Sequence, residues 1–349
     1  MLAGKENVGI MSSDTQNSPD GTEKSFEVGL LRPMDAEGVT RLFQSVHGDD
    51  YPIKIFYDPQ NLARANEQGD YYTFVARSNA GEIIGIHNLF RSAPSRDVYE
   101  WGVGLVLKDW RDMKVSRKIV LHMLEKVIPE LGMHTVFGEP VTYHIHMQRE
   151  GAACGFQETA LELGLMPGEV YSGEGVTTDR VSTLLFFRCY RNIPQSVYLP
   201  ASYNEALRFM YENFSSGRSF HEAGAPIPTG AVSKSKMDIF DFAKVARIAF
   251  LETGADFAER MSDLESQAEE KGAIVIQVWV KLTSPWVGET VNILRANGYF
   301  LGGALPQWFD DDGLLMQKLL FTPDFESIQL YSDRAKRIRD LVRSDWERT

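Results

Sequence analysis

The chain is poor in several things that would narrow its class. It has only two cysteines, Cys154 and Cys189. That is too few for a disulfide framework and points to a reducing compartment; no metal-ligand spacing includes either one. No apolar run approaches the roughly 20 residues needed to span a bilayer, and the N-terminus lacks the continuous apolar core of a signal peptide. The expectation is therefore a cytoplasmic protein. Basic residues are also in deficit, 36 against 48 acidic, for a net charge of −12. This balance argues against non-specific nucleic-acid binding and against an anionic membrane surface as partner. Ser-His-Asp sets, zinc spacings and dinucleotide fingerprints are missing as well. What is present is ordinary for a globular protein, 43% hydrophobic and 24% charged, over 349 residues, a length comfortable for two domains.

Residues 1–24 are rich in Ser, Asp, Asn, Gly and Lys without periodicity, which predicts a disordered tail. Order begins at Phe26. A helix follows with Val39, Leu42, Phe43 and Val46 on one side and Asp35 as N-cap. A second helical piece starts at Pro59, and strands 71–77 and 83–90 flank a hairpin turn at 78–82. After 99–131 come a strand at 134–141, a short helix at 145–153 closed by Gly155, and strands at 156–165 and 183–190. A linker with Pro194 and Pro200 leads to a helix at 206–214, a long strand at 237–250 and a helix at 257–271. A strand at 273–282, a helix at 287–296 ended by Gly298-Tyr299-Phe300, and a strand at 314–321 complete the set. Strand, helix, strand, helix, glycine-aromatic occurs in both halves, the mark of a diverged internal repeat. Asp310, Asp311 and Asp312 read as a hairpin turn, and 333–348 as a charged surface helix.

The densest information lies in 99–124, YEWGVGLVLKDWRDMKVSRKIVLHML. Alternation puts Tyr99, Trp101, Val103, Leu105 and Leu107 on one face of a strand. Glu100, Gly102 and Gly104 fall on the other, so one carboxylate sits beside two positions without side chains and borders open space. Past a basic turn, Ile119, Val120, Met123, Leu124, Val127 and Ile128 recur at helical spacing. Helix-start amides beside Arg111, Lys114, Arg117 and Lys118 can cradle a phosphate. A helix start with ordinary surface cations is the simpler alternative.

This stretch resembles the acyl-CoA-binding core of the GNAT superfamily of N-acyltransferases. The family's pyrophosphate loop reads Arg/Gln-x-x-Gly-x-Gly/Ala, and Arg111, Asp112, Met113, Lys114, Val115 and Ser116 stand at those positions. Lys114 replaces the central glycine, which makes the loop degenerate. The resemblance implies an α+β fold of tandem GNAT-like domains, each a mixed, mostly antiparallel twisted sheet flanked by helices. The N-terminal domain would cover 25–193 and a degenerate C-terminal one 194–349. It implies acetyl-CoA or another acyl-CoA as co-substrate, held by Leu105, Val106, Leu107, Arg111, Lys114, Val115, Ser116 and Arg117. Glu100 stands where the family carries a base acting through water; ordering a neighbouring loop, or attracting the acceptor amine, is the alternative. The position of the usual general acid is Gly151, and Leu294 in the second half; nearby candidates are Tyr143, His144, His146 and Cys154, of which His144 is preferred, with a cap of the next helix as its alternative role. An acidic loop carrying Asp49, Asp50, Asp58, Glu67 and Asp70 suits a cationic small-molecule amine or is simply solvated surface. The second half's turn, 252–256, has acid where phosphate would sit and a capping box at Asp256 and Glu259, so no cofactor is expected there. The implied activity is N-acyl transfer. A non-catalytic thioester-binding module, or other thioester chemistry such as decarboxylation or O-acyl transfer, is the alternative; a homodimer is left open.

Overall fold

The computed structural model describes residues 16–17, 23–49, 51–176, 178–214 and 216–349. Most of the expected tail, together with Asp50, lies outside them; its described residues form β1 (Gln16–Asn17), antiparallel to β2 (Glu23–Lys24). The chain folds as two compact units, Met1–Ser92 with Tyr99–Val136, and Ala93–Val98 with Phe137–Thr349. The division at 193/194 follows the sequence pattern; the compact units divide elsewhere. The architecture is α+β, with mixed, mostly antiparallel sheet flanked by helices.

In the first unit, β3 (Phe26–Leu30), β4 (Tyr71–Ser78), β5 (Ile83–Phe90) and β6 (Val98–Val106) run as an antiparallel meander. Helices α1 (Ala36–His47) and α2 (Pro59–Gln68) bury Val39, Leu42, Phe43 and Leu62 against Phe56, Val75 and Ile86. Asp58 caps α2 by accepting from the Asn61 amide at 2.9 Å, with Pro59 in the first turn and Gly69 left-handed at the end. Asp35 does not cap α1 with its side chain. Its carboxylate is buried, accepting from the Arg32 amide at 2.6 Å and pairing with Arg77. Helix α3 (Val115–His122) continues through a π-helical turn, Met123–Val127, into α4 (Ile128–Leu131). The chain enters the second unit within β7 (Thr135–Gly138).

The second unit contains α5 (His146–Ala153), β8 (Gln157–Pro167), β9 (Arg180–Cys189), β10 (Gln195–Leu199), α6 (Asn204–Met210), β11 (Arg218–Glu222) and β12 (Lys234–Phe240). It continues with β13 (Val245–Glu252), α7 (Phe257–Glu270), β14 (Val275–Lys281), α8 (Val287–Ala296), β15 (Phe300–Leu305), β16 (Gly313–Leu319) and α9 (Asp333–Trp346). Strands pair in the order β12-β13-β14-β16-β15-β8-β9, with only β13 and β14 parallel among them. The long strand expected at 237–250 is two strands, broken by a tight turn at Asp241–Ala243 that leaves Lys244 at φ 53°. No glycine or proline announced that turn. Helix α9 is not merely a surface helix, since it buries Ala335, Ile338 and Val342.

Two helices, one in each half of the sequence, end in the same way. Gly155 after α5 and Gly298 after α8 take φ of 79° and 82°. Phe156 donates back to Gly151 and Tyr299 back to Leu294, each at 3.0 Å. Both helices thus stop through the same left-handed glycine and the same return bond. Asp312 is fully buried in an ion pair with Arg218, and Asp310 accepts from Ser95 Oγ at 2.6 Å. No helix among the described residues is long and apolar enough to cross a membrane.

Candidate functional site

The opening strand, β6, is not a regular strand. Its register against β5 shifts between Ile86 and Asn88, and Val103 sits at φ 52° in the left-handed region. This bulge reverses the side-chain phase. Trp101 points to His87, whereas Val103, Leu105 and Leu107 pack on the α1/α2 cluster. The single apolar face expected for 99–107 is therefore wrong, and Glu100 shares its side with Val103 and Leu105. A polar chain pins the bulge: Asn66 Nδ2 to Thr73 Oγ1 (3.2 Å), Thr73 Oγ1 to Asn88 Oδ1 (2.8 Å), and Asn88 Nδ2 to the Val103 carbonyl (2.9 Å).

Open space beside Glu100 is also not found. A Cβ at Gly104 would lie 2.2 Å from the His87 ring, and one at Gly102 would lie 3.0 Å from Phe90. The glycines admit an imidazole and a phenyl ring against the backbone. Glu100 is half-buried and accepts from Ser92 Oγ at 2.7 Å. Its charge, after burial, helps push the Tyr71 phenol up.

His87 is a site residue that periodicity did not pick out, although His87-Asn88 inside an apolar strand was the available signal. Its Nδ1 accepts from Trp101 Nε1 at 3.2 Å, so the ring is neutral and its Nε2–H donates to Ser116 Oγ at 2.8 Å. Burial lowers its pKa to about 4. The ring thus ties the bulged strand to the first turn of α3.

The loop itself is a 3-10 turn, Lys108–Met113, followed by Lys114 at φ 57°, ψ 30°. Lys114 occupies the left-handed position that glycine would take at lowest cost. Val115 is fully buried and packs at Gly85, so only its backbone is available to a ligand. No side chain caps α3, which leaves its first amides without intrahelical acceptors. Arg111, Lys114, Ser116 and Arg117 are exposed around them, and the Arg111 Nε reaches the Val106 carbonyl at 3.3 Å. Among the described residues, Arg111, Lys114 and Arg117 have no ion-pair partner. Leu107 donates to the Ile84 carbonyl at 2.9 Å; by antiparallel alternation the Val106 amide points away from β5.

Two carboxylates of the acidic loop are engaged, while Asp49 and Glu67 are exposed. Asp58 caps α2, and Asp70 pairs with Arg91 at 2.8 Å. His144 belongs to the second unit, where its ring meets Tyr143 and His146 at 4.5 and 5.0 Å. It does not cap α5, whose N-cap is Ile145 with no side-chain bond. The second half's turn holds no capping box either: Asp256 Oδ1 accepts from the Ser233 amide at 2.7 Å.

No family model and no curated protein matches the chain. Among solved structures it is similar to acetyltransferases. One is an acetyltransferase of the GNAT family from Staphylococcus aureus (14% identity, 48% of this chain and 99% of that one, TM-score 0.36). Another is the ribosomal-protein-S18-alanine N-acetyltransferase from Escherichia coli (15%, 47% and 93%, 0.37). A third is a spermidine/spermine N-acetyltransferase from Vibrio cholerae (12%, 47% and 92%, 0.37).

Proposed function

We propose that this protein is an acyl-CoA-dependent N-acyltransferase that moves an acyl group, acetyl by preference, to a small-molecule amine in the cytoplasm. The observation that carries the reading is the loop after β6. Uncapped amides at the start of α3, ringed by Arg111, Lys114 and Arg117, which have no ion-pair partner among the described residues, suit a pyrophosphate. Leu105, Val106 and Leu107 would line the acyl arm. We further propose that 25–193 and 194–349 are diverged copies of one pattern, on the support of the matched stops at Gly155 and Gly298.

Glu100 takes a proton from the amine, directly or through water, and the nitrogen attacks the thioester carbonyl. The oxyanion is met by a backbone N–H near Val106. A thiol has a pKa near 8.5, so the departing thiolate can be protonated by water. His144 remains a candidate donor on the resemblance alone.

One observation favours the second reading, a module that binds acyl-CoA without transfer: the Phe90 ring lies against Gly102, next to Glu100. Calorimetric titration of acetyl-CoA, followed by turnover on a panel of amines, separates the two. The enzyme reading expects binding and transfer. It also expects Glu100→Gln to bind normally while turnover falls by about 10²- to 10⁴-fold. Full turnover by that variant would remove Glu100 as the base.

A further inference from the structure

The second unit contains a cavity of about 840 Å³ that acyl transfer does not use, bounded by the β8–β9 connection and the turns before β13 and after β16. Its volume is that of a small-molecule site. Arg180 lines it, half-buried, with Nε and Nη2 held by main-chain carbonyls: Gly164 on Nε, and Leu165 (3.0 Å) and Ala243 (2.7 Å) on Nη2. The guanidinium is fixed by backbone from two sides, and the described residues place no carboxylate in ion-pair contact with it. Burial pushes its pKa down, and the guanidinium also lies over the Phe321 ring, 5.6 Å from its centroid.

A second cation is planted in the same wall. Lys244 is held at φ 53°, and its carbonyl accepts from the Ile274 and Val275 amides at 2.9 and 3.2 Å. A lysine in the left-handed region is costly where glycine would serve, so its charge is the evident gain. Phe242, 57% exposed, and Phe321 provide an apolar wall. Glu169 and Asp179 bring negative charge to the same lining. Asp324 also lines it, but its Oδ1 already accepts from the Glu326 and Ser327 amides.

We propose that this cavity binds a zwitterionic amino acid with an apolar side chain. The carboxylate lies on Arg180 and Lys244, the ammonium toward Glu169 and Asp179, and the side chain against Phe242 and Phe321. A lining with both signs of charge disfavours a bare anion or a bare amine of the same shape, because each would leave one sign unanswered.

The test is calorimetry on the full chain without acetyl-CoA, so its outcome does not depend on acyl transfer. The probes are L-phenylalanine, phenylacetate and phenethylamine. L-Phenylalanine is expected to bind at least about tenfold more tightly than either analogue. Arg180→Met should abolish binding, but it could also disturb the fold by releasing three carbonyls. Lys244→Gly avoids this, because it removes the cation while relieving the left-handed strain; binding should weaken several-fold with no fall in melting temperature. No binding of L-phenylalanine into the millimolar range, equal affinity for either analogue, or unchanged affinity in Lys244→Gly would overturn the proposal.

Discussion

Two turns in this molecule each lead from a strand into a helix, and they are finished in opposite ways. The first, Lys108–Lys114, leaves α3 uncapped and its cations without acidic partners among the described residues. The second lies between β13 and α7, and the stretch 231–233 fills it. Ala255 donates to the Ala231 carbonyl at 3.0 Å, Gly254 donates to Ser233 Oγ at 2.9 Å, and Asp256 accepts from the Ser233 amide. A Cβ on Gly254 would lie 2.2 Å from the Ala231 carbonyl oxygen. The residue types mislead here. The second turn keeps the glycine an anion cradle favours and uses it to admit the chain's own backbone. The first has lost its glycine and still reaches the left-handed geometry through Lys114. On the proposed reading, the two turns differ in whether their amides are already bonded within the chain.

The sharpest way to break this contrast is charge reversal at the first turn. Arg111→Glu with Lys114→Glu replaces two attractive contacts with repulsive ones, each contact worth about 1.5–3 kcal/mol when made to an ionised group. The dissociation constant for acetyl-CoA should rise by at least about a hundredfold. Arg260→Glu, the matching reversal beside the second turn, should leave it unchanged. Equal losses at both turns would remove the distinction.

The two units should also answer pH in opposite directions. His87, in the first, has a folded pKa of about 4 against 6.5 free. Its contribution is present above pH 6.5 and lost as pH falls through 4, a span of about 3 kcal/mol. Protonation at Nδ1 would also break the Trp101 bond and disturb the ring that holds Ser116 under the loop. Glu162, in the second unit, is pushed up to about 7, mainly by burial and by the charge of Glu139. Its contribution is present below pH 4.5 and lost as pH rises through 7. Amide exchange across pH 4–8 should show α3 loosening in acid and β8 loosening toward neutral pH, the latter suppressed in Glu162→Gln.

Regular periodicity carried much of the fold. The helix 287–296 was readable to the residue because Val287, Val291 and Leu294 recur on one side and Gly298 ends the pattern. What stayed hidden needs a backbone departure that no residue type announces. The turn at 241–244 has neither glycine nor proline, and the bulge at Val103 lies inside an apparently perfect alternation. Those departures moved the site. Alternation set Glu100 apart from Leu105 and beside open space, whereas the bulge unites their faces and the glycines receive His87 and Phe90. The loop cations Arg111, Lys114 and Arg117 were legible because exposed charges need only sequence position. The bonding of the second turn to Ser233 was not, because it depends on a segment about twenty residues away in sequence.

Filling the second turn should have a stability cost that the first does not share. Gly254→Ala drives a Cβ into the Ala231 carbonyl oxygen, and the backbone of 231–233 must withdraw. Destabilisation of about 2 kcal/mol is expected in chemical denaturation of the second unit, with acetyl-CoA affinity unaltered. A neutral result would mean that the 231–233 contact is slack and the turn available.

The smallest effect bears directly on the first turn. Lys114 holds a conformation that costs a non-glycine residue about 1–2 kcal/mol, of which glycine would return part and lose part to its greater freedom in the unfolded chain. Lys114→Gly should therefore raise stability by about 0.5–1 kcal/mol while removing one cation from the cradle, so that acetyl-CoA binds a few-fold more weakly. The opposing signs make the test specific. A loop kept only for structure would gain stability with nothing lost, because an exposed lysine without an ion-pair partner contributes little to the fold. A loop whose phosphate contacts are wholly main-chain would gain both stability and affinity, since glycine is the residue such a cradle prefers. Only a lysine held under strain for its charge improves the fold and weakens the ligand in one substitution.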